Sequence, residues 1–205
     1  MYRETLLRRK RSLPSFILTF YISQINVLIN MNESEKIKDA VERCRKAFTL
    51  KPAKGKGTAV STTRIVNGLA CETSEGNWKF EVDMPEGIGG KNTAPTPGVY
   101  GRAALGSCLA IGYMMKAAEL NIQIQHLEVK VEADFDDGAL LGTADKSIPP
   151  GYMEVRYTIT VESDEPEEKI KQMLDEGDQH SPYLDVFSRA QTCVRTINIV
   201  SAKNQ

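Results

Sequence analysis

The chain has 205 residues, enough for one domain with a real core or for one domain and a tail. Its 26 basic and 27 acidic side chains leave a formal net charge of −1, which argues against a dedicated nucleic-acid surface, normally marked by a basic excess. Four cysteines (Cys44, Cys71, Cys108 and Cys193) form no CxxC pair and stand at no zinc-ligand spacing from His126 or His180, so no disulfide framework, metal or cofactor is expected.

Residues 1–30 differ from everything after them. A basic cluster, Arg8-Arg9-Lys10-Arg11, precedes an apolar run from Phe16 to Ile29. The run carries Thr19, Ser23, Gln24 and Asn26 and falls short of the roughly 20 apolar residues that span a bilayer. No small-residue cleavage site follows it, and Met31-Asn32-Glu33-Ser34-Glu35 has the look of a protein start. The segment reads as a non-native or flexible extension with Met31 as the initiator, an amphipathic anchor or partner-binding helix being the alternative. A membrane is not expected as a partner, and the expected location is the cytoplasm.

Residues 31–57 read as a helix and a linker. Ile37, Ala40, Val41, Cys44 and Phe48 recur at spacings of three and four from Glu33 to Phe48, which puts Cys44 on a packing face. Lys51 to Gly57 has no core-forming residue. Two strands follow, Thr58 to Ile65 and Leu69 to Thr73, joined at Asn67-Gly68, a pair that tolerates positive φ. After a second turn at Glu75-Gly76-Asn77, Trp78, Phe80 and Val82 alternate with Lys79, Glu81 and Asp83 in a half-buried strand. Cys71 reads as a packing residue of the middle strand.

Met84 to Gly98 is a loop rich in glycine and proline, and Val99 to Leu120 is a long helix whose first half holds Gly101, Ala103, Ala104, Gly106, Ser107, Ala110 and Gly112. Each helical glycine costs up to about 1 kcal/mol relative to alanine, so several in one helix imply the close approach of another backbone. Cys108 sits in the middle of that stretch. Strands at Gln125 to Phe135 and Gly151 to Glu162, helices at Pro166 to Asp178 and Pro182 to Ser188, and a final strand at Cys193 to Val200 complete the order. Strands arriving in blocks, without βαβ alternation, give an α+β fold. Asp134, Asp136 and Asp137 ahead of Gly138 lack the further oxygen ligands of a calcium loop and read as a solvated turn.

The segment Gly89-Gly90 … Pro95-Thr96-Pro97 … Ala103-Ala104-Leu105-Gly106-Ser107-Cys108, followed by His180-Ser181-Pro182-Tyr183, resembles the OsmC/Ohr family over about Thr58 to Val200. The resemblance implies an OsmC-like domain over 58–205, with antiparallel sheets around a central small-residue helix and an intertwined homodimer whose active sites lie at the subunit interface. It implies reduction of organic or inorganic hydroperoxides, with Cys108 as the peroxidatic thiolate. Three positions depart from the family pattern. Ser181 stands where the resolving cysteine is found, which makes the chain a single-cysteine variant. Gly98 stands where the Ohr branch has a glutamate, and Val66 where it has an activating arginine. Arg64, two residues earlier and on the same strand face, is the candidate activator. Arg102 is the rival, but six residues before Cys108 is about 600° of helical rotation, about 120° out of line.

Cys108 lies too deep in its helix for the dipole to act on it, so a reactive thiolate needs a cation or a partner-subunit group. The expected activity is thiol-dependent peroxide reduction through Cys108 with an external thiol reductant, Arg64 and Ser181 completing the site. The alternative is a non-enzymatic homologue that binds a small apolar ligand or senses oxidants. Cys193 as a relocated resolver, and His180 as a base beside the thiol, are the weaker options against strand packing and a solvated loop.

Overall fold

The computed structural model describes the backbone of residues 15–201 and the side chains of residues 33–201; the basic cluster Arg8–Arg11 lies outside them. Contacts divide the chain at Gly55/Lys56 into two units. The first holds helix α1, Ser15–Leu50, and a 3-10 turn over Pro52–Gly55. The helix is longer than its periodic stretch and runs through Met31 without a break. Ile37, Ala40 and Val41 are half-buried, whereas Cys44 is exposed. The expected packing of Cys44 is therefore corrected: periodicity selects a helix face, not the neighbour that would cover it. Among the described residues no helix is long and apolar enough to cross a membrane.

The second unit opens with an antiparallel meander of β1 (Thr62–Asn67), β2 (Ala70–Glu75) and β3 (Trp78–Val82). Its two hairpins turn at Gly68 and Gly76, whose φ of 62° and 55° lie where residues with a Cβ are strained. Every residue of β1 is exposed, as are Trp78 and Phe80 of β3. Beyond β3 the chain turns on Asp83, which is 1% exposed. Its carboxylate accepts from the backbone N–H groups of Met84 (2.8 Å), Lys91 (3.1 Å) and Thr93 (3.1 Å) and from the Thr93 hydroxyl (2.9 Å). These bonds gather the glycine-rich loop into a tight cradle, in which a Cβ on Gly90 would stand 1.8 Å from the Met84 carbonyl oxygen.

The loop delivers helix α2, Pro97–Leu120, which begins on a proline suited to a first helical turn and ends on Asn121 in the left-handed conformation. Strands β4 (His126–Asp134) and β5 (Glu154–Glu162) pair antiparallel from His126↔Glu162 to Asp134↔Glu154. Between them Asp136 caps the short helix α3, Asp137–Leu141, by accepting from the Gly138 N–H at 2.7 Å, so the acidic cluster builds a helix start where a turn was expected. Helices α4 (Glu167–Asp178) and α5 (Pro182–Ser188) follow.

Leu105, Leu109, Tyr113 and Ala117, one turn apart along α2, form the buried stripe, with Leu127, Val129, Val131, Val155, Tyr157 and Ile159 of the sheet and Met173 of α4 packed around it. Leu105, Leu109 and Met173 are fully buried, each contributing about 1.5–3 kcal/mol. Of the small residues, Gly106 allows this approach: a Cβ there would lie 3.3 Å from Val131 Cγ2 and 3.8 Å from the Val129 carbonyl oxygen. One on Gly112 would meet nothing within 4 Å, so the expected close approach holds at one glycine and not at all of them. The arrangement is α+β, with antiparallel sheets and a central helix. One expected element is absent. Residues 191–201 form no strand and are exposed, because alternation gives strand propensity but a strand exists only where a neighbouring backbone takes up its N–H and C=O groups.

Gly177→Ala will lower stability, because the new Cβ would meet Tyr113 Cδ1 at 2.6 Å inside the core. Overpacking costs about 1–3 kcal/mol and outweighs the helical gain of up to about 1 kcal/mol, a net loss readable as a lower urea midpoint. Asp83 gives a second expectation. Its backbone donors, Thr93 first and then Met84, hold the carboxyl at about 2, below the ordinary 3.8. A group lowered in the folded state adds stability that is full above 3.8 and lost as pH falls to about 2. Asp83→Asn will be less stable at neutral pH, and the gap from wild type will close across that acid window in urea titrations.

Candidate active site

Cys108 stands one residue before Leu109 on α2, so it flanks the buried stripe and is itself half-buried. Against it comes the junction of α4 and α5. Ser181 is the N-cap of α5, 5% exposed, and its Oγ accepts from the Leu184 N–H at 3.3 Å. The same Oγ lies 3.6 Å from Cys108 Sγ. A hydroxyl has one proton to donate and lone pairs to accept with. With the Leu184 N–H taken by a lone pair, the Ser181 proton is free to point at the sulfur, the polarity a thiolate requires.

The junction is held from beneath. Asp178 ends α4, and its carboxylate accepts from the Tyr113 hydroxyl at 2.5 Å and the Tyr157 hydroxyl at 2.8 Å. Burial, reinforced by the hydrogen bond to Asp178, raises the Tyr113 hydroxyl well above its ordinary range and pushes Tyr157 up to about 12. Both phenols therefore remain protonated donors at neutral pH. The backbone carbonyl of Asp178 accepts from the Ser181 N–H at 3.2 Å, which joins the clamp to the cap.

Of the residues singled out in the sequence, Cys108 and Ser181 are brought together, and Arg64 is not brought to them within one chain. Arg64 is exposed on β1, opposite Glu72 across the ladder, and makes no hydrogen bond or ion pair with Cys108. Arg102 is directed elsewhere: its Nη1 donates to the Tyr152 hydroxyl at 3.3 Å, and that hydroxyl donates to the Gly98 carbonyl at 2.9 Å. A Cβ on Gly98 would meet both groups at 3.4 Å, an ordinary van der Waals contact. His180 is exposed, its Nδ1 2.9 Å from the Glu176 carbonyl oxygen. Cys193 is free and exposed on the unpaired C-terminal segment. Among the described residues no cluster of His, Cys, Asp and Glu is arranged to hold a metal ion.

Sequence reasoning missed Tyr113, Tyr157 and Asp178. One signal was present. Helix α4 ends in acidic residues with no basic residue in its last turn, the wrong sign for the negative end of a helix. An aspartate placed there needs donors from elsewhere.

Residues 90–196 match the family described as OsmC-like protein. The fold is similar to the crystal structure of an OsmC-like protein from Mycoplasma pneumoniae, at 15% identity and a TM-score of 0.56 over 64% of this chain and 88% of that one. It is also similar to an OsmC-like protein of unknown function from Vibrio cholerae, at 9% identity and a TM-score of 0.52 over 64% and 94% of the two chains. A third similar structure is an organic hydroperoxide resistance protein from Elizabethkingia anophelis, at 18% identity and a TM-score of 0.50 over 65% and 89%. No curated protein sequence matches.

The 3.6 Å approach of Cys108 and Ser181 makes a direct test available. In Ser181→Cys, peroxide treatment is expected to yield a disulfide between Cys108 and the introduced cysteine, seen as a linked peptide by mass spectrometry and reversed by dithiothreitol. Two thiols that remained separately alkylatable would show that the two side chains do not approach as described.

Proposed function

The chain belongs to the family of OsmC-like proteins, and from that membership we propose that it reduces hydroperoxides through Cys108, with an external thiol regenerating the cysteine. The observation that carries this reading is the Cys108 Sγ···Ser181 Oγ contact of 3.6 Å beside a half-buried thiol. The thiolate attacks one peroxide oxygen, and the O–O bond breaks. Cys108 becomes a sulfenic acid, and the other oxygen leaves as alkoxide or hydroxide and takes a proton from water. A thiol then displaces water from the sulfenic acid to form a mixed disulfide, and a second thiol releases Cys108 with the reductant oxidised to its disulfide.

Ser181 donates to the thiolate and, having no sulfur, cannot resolve the sulfenic acid. This makes the protein a single-cysteine variant that depends on an outside reductant. We further propose that the working unit is a homodimer. Ile65, Val66 and Trp78 on the meander and Val194, Ile199 and Val200 on the C-terminal segment are at least 65% exposed, apolar side chains that association would shield from water. A second copy would cover them and would bring Arg64 of β1 toward a thiol that has no cation bonded to it among the described residues of one chain.

Purified protein is expected to consume cumene hydroperoxide or hydrogen peroxide with dithiothreitol or a dihydrolipoyl donor, and Cys108→Ser to lose that turnover by at least about a hundredfold, as loss of a nucleophile does. Turnover that survives in Cys108→Ser would remove Cys108 from the chemistry. No turnover in either protein would leave a binding or oxidant-sensing role on the same scaffold.

A further inference from the structure

We propose that Asp178, clamped by Tyr113 and Tyr157, is a positioning residue that sets the Ser181 hydroxyl against Cys108. The inference rests on Cys108 and Ser181 being the reactive pair. It is carried by a ladder of contacts between α2 and the end of α4. Reading up α2, Cys108 meets Ser181 at 3.6 Å, Tyr113 meets Asp178 at 2.5 Å, and Lys116 meets Glu176 at 3.4 Å. The residues rise on one helix as they fall on the other, so the two run past each other in a single fixed register. A slip of α4 along α2 would move Ser181 away from the sulfur as it broke the other rungs.

The middle rung is the one that cannot slide. Tyr113 is fully buried, and its ring is seated against Gly177, where a side chain would collide with it. The Asp178 carboxylate needs donors to replace water, and it takes one from α2 and one from β5. Tyr157 lies opposite Val131, the residue against which Gly106 of α2 packs, so both hydroxyls are anchored in the same layer that seats Cys108. Two convergent hydrogen bonds on one carboxylate add directional constraints, from two different elements, to the packing around it. From Asp178 the position passes to Ser181 within one turn, through the Ser181 N–H bond to the Asp178 carbonyl at 3.2 Å.

The test follows alkylation of Cys108 by iodoacetamide as a function of pH, with the Cys108 peptide quantified by mass spectrometry in the full-length protein. Ser181→Ala removes the donor and is expected to slow alkylation at neutral pH by about tenfold, the scale of one hydrogen bond to a charged group. Tyr113→Phe and Tyr157→Phe keep the ring and remove only the hydroxyl. Each is expected to slow alkylation several-fold and to move the pH–rate profile in the same direction. Tyr113→Phe combined with Ser181→Ala is expected to be no slower than Ser181→Ala alone, since the clamp acts through the serine. Tyrosine variants that unfold earlier in urea yet alkylate like wild type at every pH, beside a slowed Ser181→Ala, would overturn the positioning role and leave a structural clamp. A Ser181→Ala protein that alkylates like wild type would overturn the reactive pair itself.

Discussion

The close approach of α2 to the β4–β5 sheet is the constraint on which the rest depends. It exists because Gly106 presents no side chain to Val131, while the leucine stripe one face over presents several. A helix seated this near a sheet has little freedom to rotate or slide, since interiors pack as densely as organic crystals. Gly106, a poor helix former in isolation, is therefore what lets α2 become a rigid platform in place, whereas a Cβ on Gly112 would meet nothing within 4 Å. Cys108 inherits its position from that seating: it is too close to the stripe to be mobile and too far round the helix to be fully covered.

A rigid platform needs something held against it at a definite height, and here a polar device supplies it. At the junction of α4 and α5 one helix ends and another begins within three residues, with backbone groups left over from both. Ser181 satisfies one of them by capping α5, and Asp178 closes the other side through its carbonyl. The two tyrosines turn an aspartate at the wrong end of a helix from an electrostatic cost into an anchor. Capping, anchoring and the approach to sulfur are thus three uses of four residues, and none can be altered without loading the others.

Much of this was legible in the sequence, for reasons tied to particular residues. The asparagine-glycine turn, the alternation of Trp78, Phe80 and Val82, and the small residues before Cys108 are local signals, and each element formed where its signal lay. The half-buried face expected of β3 is corrected: Trp78 and Phe80 are exposed and only Val82 is half-buried, because alternation selects a strand face but not what covers it. Ser181-Pro182 announced a helix start and supplied one. What stayed hidden needs distance in three dimensions. Tyr113, Tyr157 and Asp178 lie on three elements and have no common spacing, so no window along the chain contains them. The final strand failed for the complementary reason: Val194 to Val200 carries the right residues, but pairing is a property of two backbones, and this segment lies in no ladder of the chain's two sheets. Cys44 failed likewise, on a stripe correctly placed whose end stays exposed.

These two kinds of failure bear on how far one chain can carry the proposed chemistry. What a single chain organises well is the neighbourhood of the sulfur: its seat, its hydroxyl partner and the loop cradled on Asp83 that starts α2. On the proposed mechanism it leaves unfinished the cation, the second sulfur and the cover for β1. A thiolate forms readily only where positive charge offsets it, and a sulfenic acid returns to thiol only where another thiol can reach it. Arg64 stands on the same exposed strand, so in the proposed homodimer one association event would both bury apolar residues of β1 and bring the charge. The missing sulfur is a different matter. Ser181 cannot supply it, so on the proposed mechanism an external thiol does. The peroxide site would then be completed by the protein's own second copy, and its turnover by a reductant small or exposed enough to reach a half-buried sulfur.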